Sequence, residues 1–204
     1  MLDSIKISAT EFINYINASG AAKITVVSNV KEKHENDDDF PYDYWAEFRR
    51  ALVRTLKKNG SKEDLKEVIE KVKDENRPNH QAMVNGFIKF WGRKDLEWIQ
   101  PIKRVYGIKG LKISINPEIG LRYNGIDYYI KLFLRSNEVL NRRHADVVTN
   151  LMELGLRKKV GDDIVLAVLD VKQGRLFESR GINPKYSLLL QGEASSFLNI
   201  WNGL

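Results

Sequence analysis

The sequence predicts an α+β protein, with a helical N-terminal half followed by a β-β-β-α-β-β-α half that contains an antiparallel meander. Three observations lead there. Up to about residue 105 apolar residues recur at helical spacing, most clearly in "YDYWAEFRRALVRTLKKNG". Beyond residue 106 the period falls to two, in "GLKISIN", "EIGLRYNG" and "IDYYIKLFLR". Between the last two runs stands Asn124-Gly125, a two-residue hairpin turn whose central positions both need positive φ.

Each element has a local reason. In "SATEFINYINA", Ser8 or Thr10 is the N-cap and Phe12, Ile13 and Ile16 share one face. "AKITVVSNVKEKH" suits either a helix or a short strand, and "ENDDDFPYD" reads as an acidic, proline-containing loop. Tyr44, Trp45, Phe48, Leu52 and Leu56 form the stripe of the next helix, which Asn59-Gly60 stops. Ser61 caps "KEDLKEVIEKVKDEN", read as one helix, and Pro78 opens "NHQAMVNGFIKFWGRK". A long helix is expected over about 137–159, with Leu140, Val147, Val148, Leu151 and Met152 inward. "DIVLAVLDV" reads as a strand covered on both faces, turned by "KQG" into "RLFES", and a final helix begins at "YSLLL". On this pattern 1–105 is a mostly helical region and 106–204 an α+β region with a mixed sheet, the two packed together as one compact unit.

Composition narrows the function. The 204 residues carry 33 Lys plus Arg against 27 Asp plus Glu, a net charge of +6 and a pI near 9.3, which favours acidic partners. Without cysteine there is no disulfide, no thiol nucleophile and no cysteine-held zinc. The longest apolar run, "IVLAVL", falls far short of the roughly 18 residues of a membrane span. "MLDSIKISATEF" has no apolar core of signal-peptide type. A cytoplasmic protein with no membrane partner is the resulting expectation.

One motif raises catalysis. In "LAVLDVKQGRLF", Asp170 and Lys172 lie two apart at a strand end and would face one side. A metal-dependent nuclease needs two or three carboxylates converging on Mg²⁺, with a lysine to steady the attacking water or the phosphate. Glu118 and Asp127 are the candidate upstream carboxylates. Strands and helices in this order resemble the core of PD-(D/E)XK nucleases, a resemblance that implies Mg²⁺ chemistry at Asp170, Lys172, Glu118 and Asp127. Departures from that pattern are visible: Asp127 precedes Asp170 by a whole helix, a Gly174 turn follows Lys172, and Tyr129 stands two before Lys131. Asp followed by Lys-Gln-Gly is also ordinary hairpin chemistry, the reading favoured for this motif. No metal ligand set is assigned, because His34, His80 and His144 show no metal spacing, and no P-loop or dinucleotide fingerprint is present. No cofactor is therefore expected outside the nuclease alternative. "NPEIGLRYNGIDYYIKLFLR", "VLAVLDVKQGRLF" and "QGEASSFLNIW" together resemble an uncharacterised family of bacterial proteins, which implies a bacterial-type origin and no particular activity.

Basic residues interleaved with aromatics carry the main functional expectation. Arg49, Arg50, Arg54, Lys57 and Lys58 lie along one helix; Arg93 and Lys94 follow Trp91; Lys103 and Arg104 sit near Tyr106; Arg142 and Arg143 mark the long helix. Phosphate contact with base stacking needs such a mixture. Lys131 alternates with Asp127, Tyr129 and Phe133 on one strand face, an exposed platform if helices cover only the opposite face. The expected nucleic-acid contacts are Arg49, Arg93, Lys94, Lys103, Arg104, Lys131, Arg142 and Arg143. The partner is then nucleic acid or an acidic protein, and a homo-oligomeric interaction module is a further alternative.

Overall fold

A computed structural model describes residues 5–35 and 43–204; most of the acidic loop read at 35–43 lies outside the described residues. The chain opens with β1 (Lys6–Ser8), α1 (Ala9–Asn17), α2 (Ala22–Glu35), α3 (Ala46–Lys57), α4 (Lys62–Lys66) and α5 (Val68–Lys71). After a 3-10 turn come α6 (Arg77–Trp91), β2 (Glu97–Trp98), β3 (Arg104–Ile108), β4 (Leu111–Ile115), β5 (Ile119–Tyr123) and β6 (Ile126–Phe133). Then follow α7 (Arg142–Val160), β7 (Ile164–Asp170), β8 (Arg175–Glu178) and α8 (Pro184–Gly203). Helices fill the N-terminal half and antiparallel strands gather toward the C-terminus, the α+β class expected.

Local signals explain the element starts. Ser8 closes a capping box on α1: its Oγ accepts from the Glu11 N–H at 3.1 Å, and the Glu11 carboxylate accepts from the Ser8 N–H at 2.8 Å. Asn141 caps α7, four residues later than the expected start. The ambiguous 22–34 segment is helical. Residues 62–76 are not one helix: the run breaks at Glu67 and Val72, and the pieces bring Leu65 and Val68 into the core against α3 and α6. Tertiary packing there overrides propensity.

Two sheets form. β1, β4 and β3 make a three-stranded sheet in the order β1-β4-β3; β2, β5, β6, β7 and β8 make a five-stranded sheet in that order. The β5–β6 hairpin turns at Asn124 (φ 52°) and Gly125 (φ 76°), as the sequence requires. The run 111–135 is nevertheless not one three-stranded meander, because β4 pairs with β3 and β1 rather than β5. Asn116-Pro117 explains the switch, since proline has no N–H to continue a ladder and the chain crosses there to the second sheet. β3, absent from the expected strands, is a largely exposed edge with weak alternation. β6 and β7 run parallel, connected by α7.

The large sheet is covered on both sides. Ile119, Leu121, Tyr128, Ile130, Ala167 and Leu169 belong to one core with Phe48, Leu52, Met83 and Phe87. Tyr129, Leu166, Val168 and Phe177 belong to a second core with α7, α1, α8 and the small sheet. Residues on both sides of position 105 contribute to each core. This overturns the exposed aromatic-basic platform: Tyr129 is 8% and Lys131 7% exposed, because α7 and its neighbours cover that face.

Candidate nucleic-acid interface

The sequence of α3 builds a helix with two opposed characters. Phe48, Ala51, Leu52, Thr55 and Leu56 are buried, which turns Arg50, Arg54 and Lys58 outward at i, i+4 spacing. Like charges four apart on a helix repel by a few tenths of a kcal/mol per pair, at about 0.2–0.5 each. The C-terminal helix dipole accounts for Lys57 and Lys58 but not for Arg49 and Arg50 near the N-terminal end. These last two are compensated by acids, Arg49 by Asp43 and Arg50 by Glu47.

Opposite this face the 116–118 crossover comes close, and a groove of about 580 Å³ opens between them. Its walls carry six cations, Arg49, Arg50, Arg54, Lys57, Lys58 and Lys103, and one acid, Glu118. Lys57 lies over the Trp98 ring at 5.2 Å. Arg54, Lys58 and Lys103 make no ion pair among the described residues. Burial pushes the Arg49 guanidinium below its usual value, and attraction to Glu118 works against that.

Glu118 ends the groove and has a structural task. The β5–β6 ladder closes at Ile119–Ile130, so the next β6 amides need another acceptor. One Glu118 oxygen accepts from the Leu132 N–H at 2.8 Å, and the other from Lys131 Nζ at 2.8 Å. The lysine is thereby neutralised where the sheet buries it. Beyond this pair lies a second cavity of about 240 Å³, bounded by α1, Trp45 and the end of β6; it shares Arg49 and Glu118 with the groove.

The nuclease candidates do not come together. Asp127 pairs with Arg122 at the far end of the β5–β6 hairpin, where hydrogen bonds from Arg122 hold its carboxyl below the usual range. Asp170 is 1% exposed and gives its oxygens to backbone, accepting from Leu140 N–H at 2.9 Å and Gln173 N–H at 3.1 Å. Lys172 donates to the Ser136 carbonyl. Asp170-Val171-Lys172 thus stands at the mouth of the β7–β8 hairpin. Among the described residues no three of His, Asp and Glu gather closely enough to share a metal ion.

The expected nucleic-acid contacts divide. Arg49 and Lys103 line the groove, while Lys131 is buried at its end. Arg93 and Lys94 follow α6, where Lys94 donates to the Phe90 carbonyl and lies over the Phe90 ring. Arg104 sits on β3, and Arg142 is tied to Asp146 and the Glu178 carbonyl beside Arg143 at the start of α7. These five do not line the groove. Arg50, Arg54 and Lys58 do, and their four-residue spacing was the signal that could have chosen them over the others.

No family model matches the chain, and no curated protein matches it. A solved structure of a provisionally assigned exonuclease from Eubacterium rectale aligns with a TM-score of 0.49 at 10% identity, over 98% of this chain and 83% of that one. So slight a likeness carries no argument about fold or activity. Among the described residues no helix is long and apolar enough to cross a membrane.

Proposed function

We propose that this protein binds nucleic acid without cleaving it, with the phosphates lying along α3. The observation that carries the reading is the meeting of Arg50, Arg54, Lys58 and Lys103 across one groove, the last three without an ion pair among the described residues. Concave walls of one sign concentrate the field and favour a polyanion over an isolated acidic side chain. Fluorescence anisotropy with labelled oligonucleotides at low salt tests it. Wild type binds, and Arg54→Glu/Lys58→Glu, two exposed positions outside both cores, loses at least tenfold. Absence of binding to any oligonucleotide at micromolar protein ends the reading and leaves an acidic protein partner.

A divalent-metal nuclease is the second reading. Glu118 facing Lys131 across adjacent strands favours it, since such sites set a carboxylate beside a lysine. The acid-spacer-lysine pattern is not met on this strand, because Tyr129 occupies the position two before Lys131. Plasmid nicking in Mn²⁺ that disappears in Glu118→Gln, joined to a rise in melting temperature with Mn²⁺, would promote this reading over the first.

A further inference from the structure

We infer that the cavity behind Glu118 seats one unpaired nucleobase, so that the ligand of the α3 groove is single-stranded. This inference rests on the proposed nucleic-acid binding and deepens it. Three features carry it. The cavity adjoins the basic groove, with Arg49 and Glu118 lining both, so a strand whose phosphates follow α3 runs beside it. Ile13, Trp45, Leu134, Val148 and Val168 are among its lining residues, apolar side chains that a phosphate does not need and a base does. Trp45, half-buried in the lining, also packs against Tyr44 at 4.6 Å and His80 at 5.0 Å between ring centres, contacts that restrict its motion and suit it to stacking.

Polar atoms suited to a base edge stand at the rim. Thr10 and Asn17 line the cavity, and their side chains make no hydrogen bond among the described residues. Asn14 uses its Oδ1 to accept from Arg135, which leaves its amide hydrogens to donate. At about 240 Å³ the space suits a single planar ring system rather than a larger ligand. A base in a duplex is stacked and paired, so it enters such a cavity only after extrusion, whereas a single strand presents it directly.

The experiment is a competition in anisotropy at fixed low salt, with four unlabelled probes of matched phosphate number: a single strand, the same strand made abasic, a duplex, and inorganic polyphosphate. The result expected is that the single strand competes at least tenfold better than the other three and quenches tryptophan fluorescence. That quenching is lost in Trp45→Phe, although Trp91, Trp98 and Trp201 remain. A second variant, Asn17→Trp, fills the cavity from an exposed position at the end of α1 and should remove the preference for bases while leaving polyphosphate binding within twofold. Equal competition by all four probes would overturn the base cavity and keep the groove. No competition by any would remove both.

Discussion

Removing the Glu118 carboxylate probes the place where the fold and the groove meet. In Glu118→Ala the Lys131 ammonium stays in a site where only 9% of its side chain reaches water, and the Leu132 N–H loses its acceptor. Breaking a fully buried ion pair from one side costs about 3–5 kcal/mol; with 19% of the Glu118 side chain in water, the charge part falls to about 2–3 here. The unsatisfied Leu132 amide adds about 1 kcal/mol. The expected loss is therefore about 3–4 kcal/mol, read by urea denaturation followed in far-UV circular dichroism. Glu118→Gln/Lys131→Met restores an acceptor for Leu132 and removes the stranded charge, so it should lie within about 1 kcal/mol of wild type. A Glu118→Ala variant as stable as wild type, or a double variant as unstable as the single one, would refute the assignment of this pair as a charge neutralised at a ladder end.

Other substitutions follow from the same structure. Asp170→Ala strands two backbone amides and should cost about 2–4 kcal/mol in urea melts, more than the roughly 1 kcal/mol of a solvent-exposed turn, with Asp170→Asn between the two. Gly86 lies where an added Cβ would stand 2.0 Å from the Val171 carbonyl oxygen, so Gly86→Ala must push α6 off the β7–β8 turn and should cost about 3 kcal/mol; a neutral result would contradict that close approach. Burial alone would raise the Glu153 carboxyl, but hydrogen bonds from Arg157 and Ser179 and the charge of Arg157 hold it below the usual range. Its contribution is present above the unfolded pKa of about 4.3 and is lost as pH falls through the depressed folded value, so Glu153→Gln should flatten the acid limb of a melting-temperature profile between about pH 5 and 3. Burial raises the Tyr123, Tyr128 and Tyr129 phenols, which contribute stability below an unfolded pKa of about 10 that is lost at higher pH. Spectrophotometric titration should show these three ionising at higher pH than an exposed tyrosine.

Much of the fold was legible because local chemistry and global packing agree. Asn124-Gly125 required its turn, Ser8 and Ser61 required their caps, and the unbroken aliphatic run of β7 announced a strand covered twice. The failures share one cause. Pairing partners are non-local, so the alternation of 111–115 could not say that it joins β1 and β3 rather than β5. Whether the Lys131 face of β6 meets water depends on where α7 packs, which the strand itself does not encode. The candidate site was legible in kind more than in place. Basic residues were named along the whole chain, yet only a turn 60 residues from α3 in sequence, at Asn116-Pro117-Glu118, closes a groove around some of them. Lys131 and Glu118 were each chosen separately, for phosphate contact and for metal binding, and their pairing emerged only from the β5–β6 register.

The salt dependence of oligonucleotide binding tests the central claim most directly. Each phosphate neutralised on a single strand contributes about −0.7 to the slope of log K against log salt. Arg54, Lys58 and Lys103 alone then give a slope near −2, and engagement of all six groove cations a slope near −4. Arg54→Glu/Lys58→Glu should make the slope shallower by about 1.4 while Arg93→Glu, outside the groove, leaves it unchanged. Binding with no salt dependence, or a slope that responds to Arg93 and ignores Arg54 and Lys58, would contradict the account.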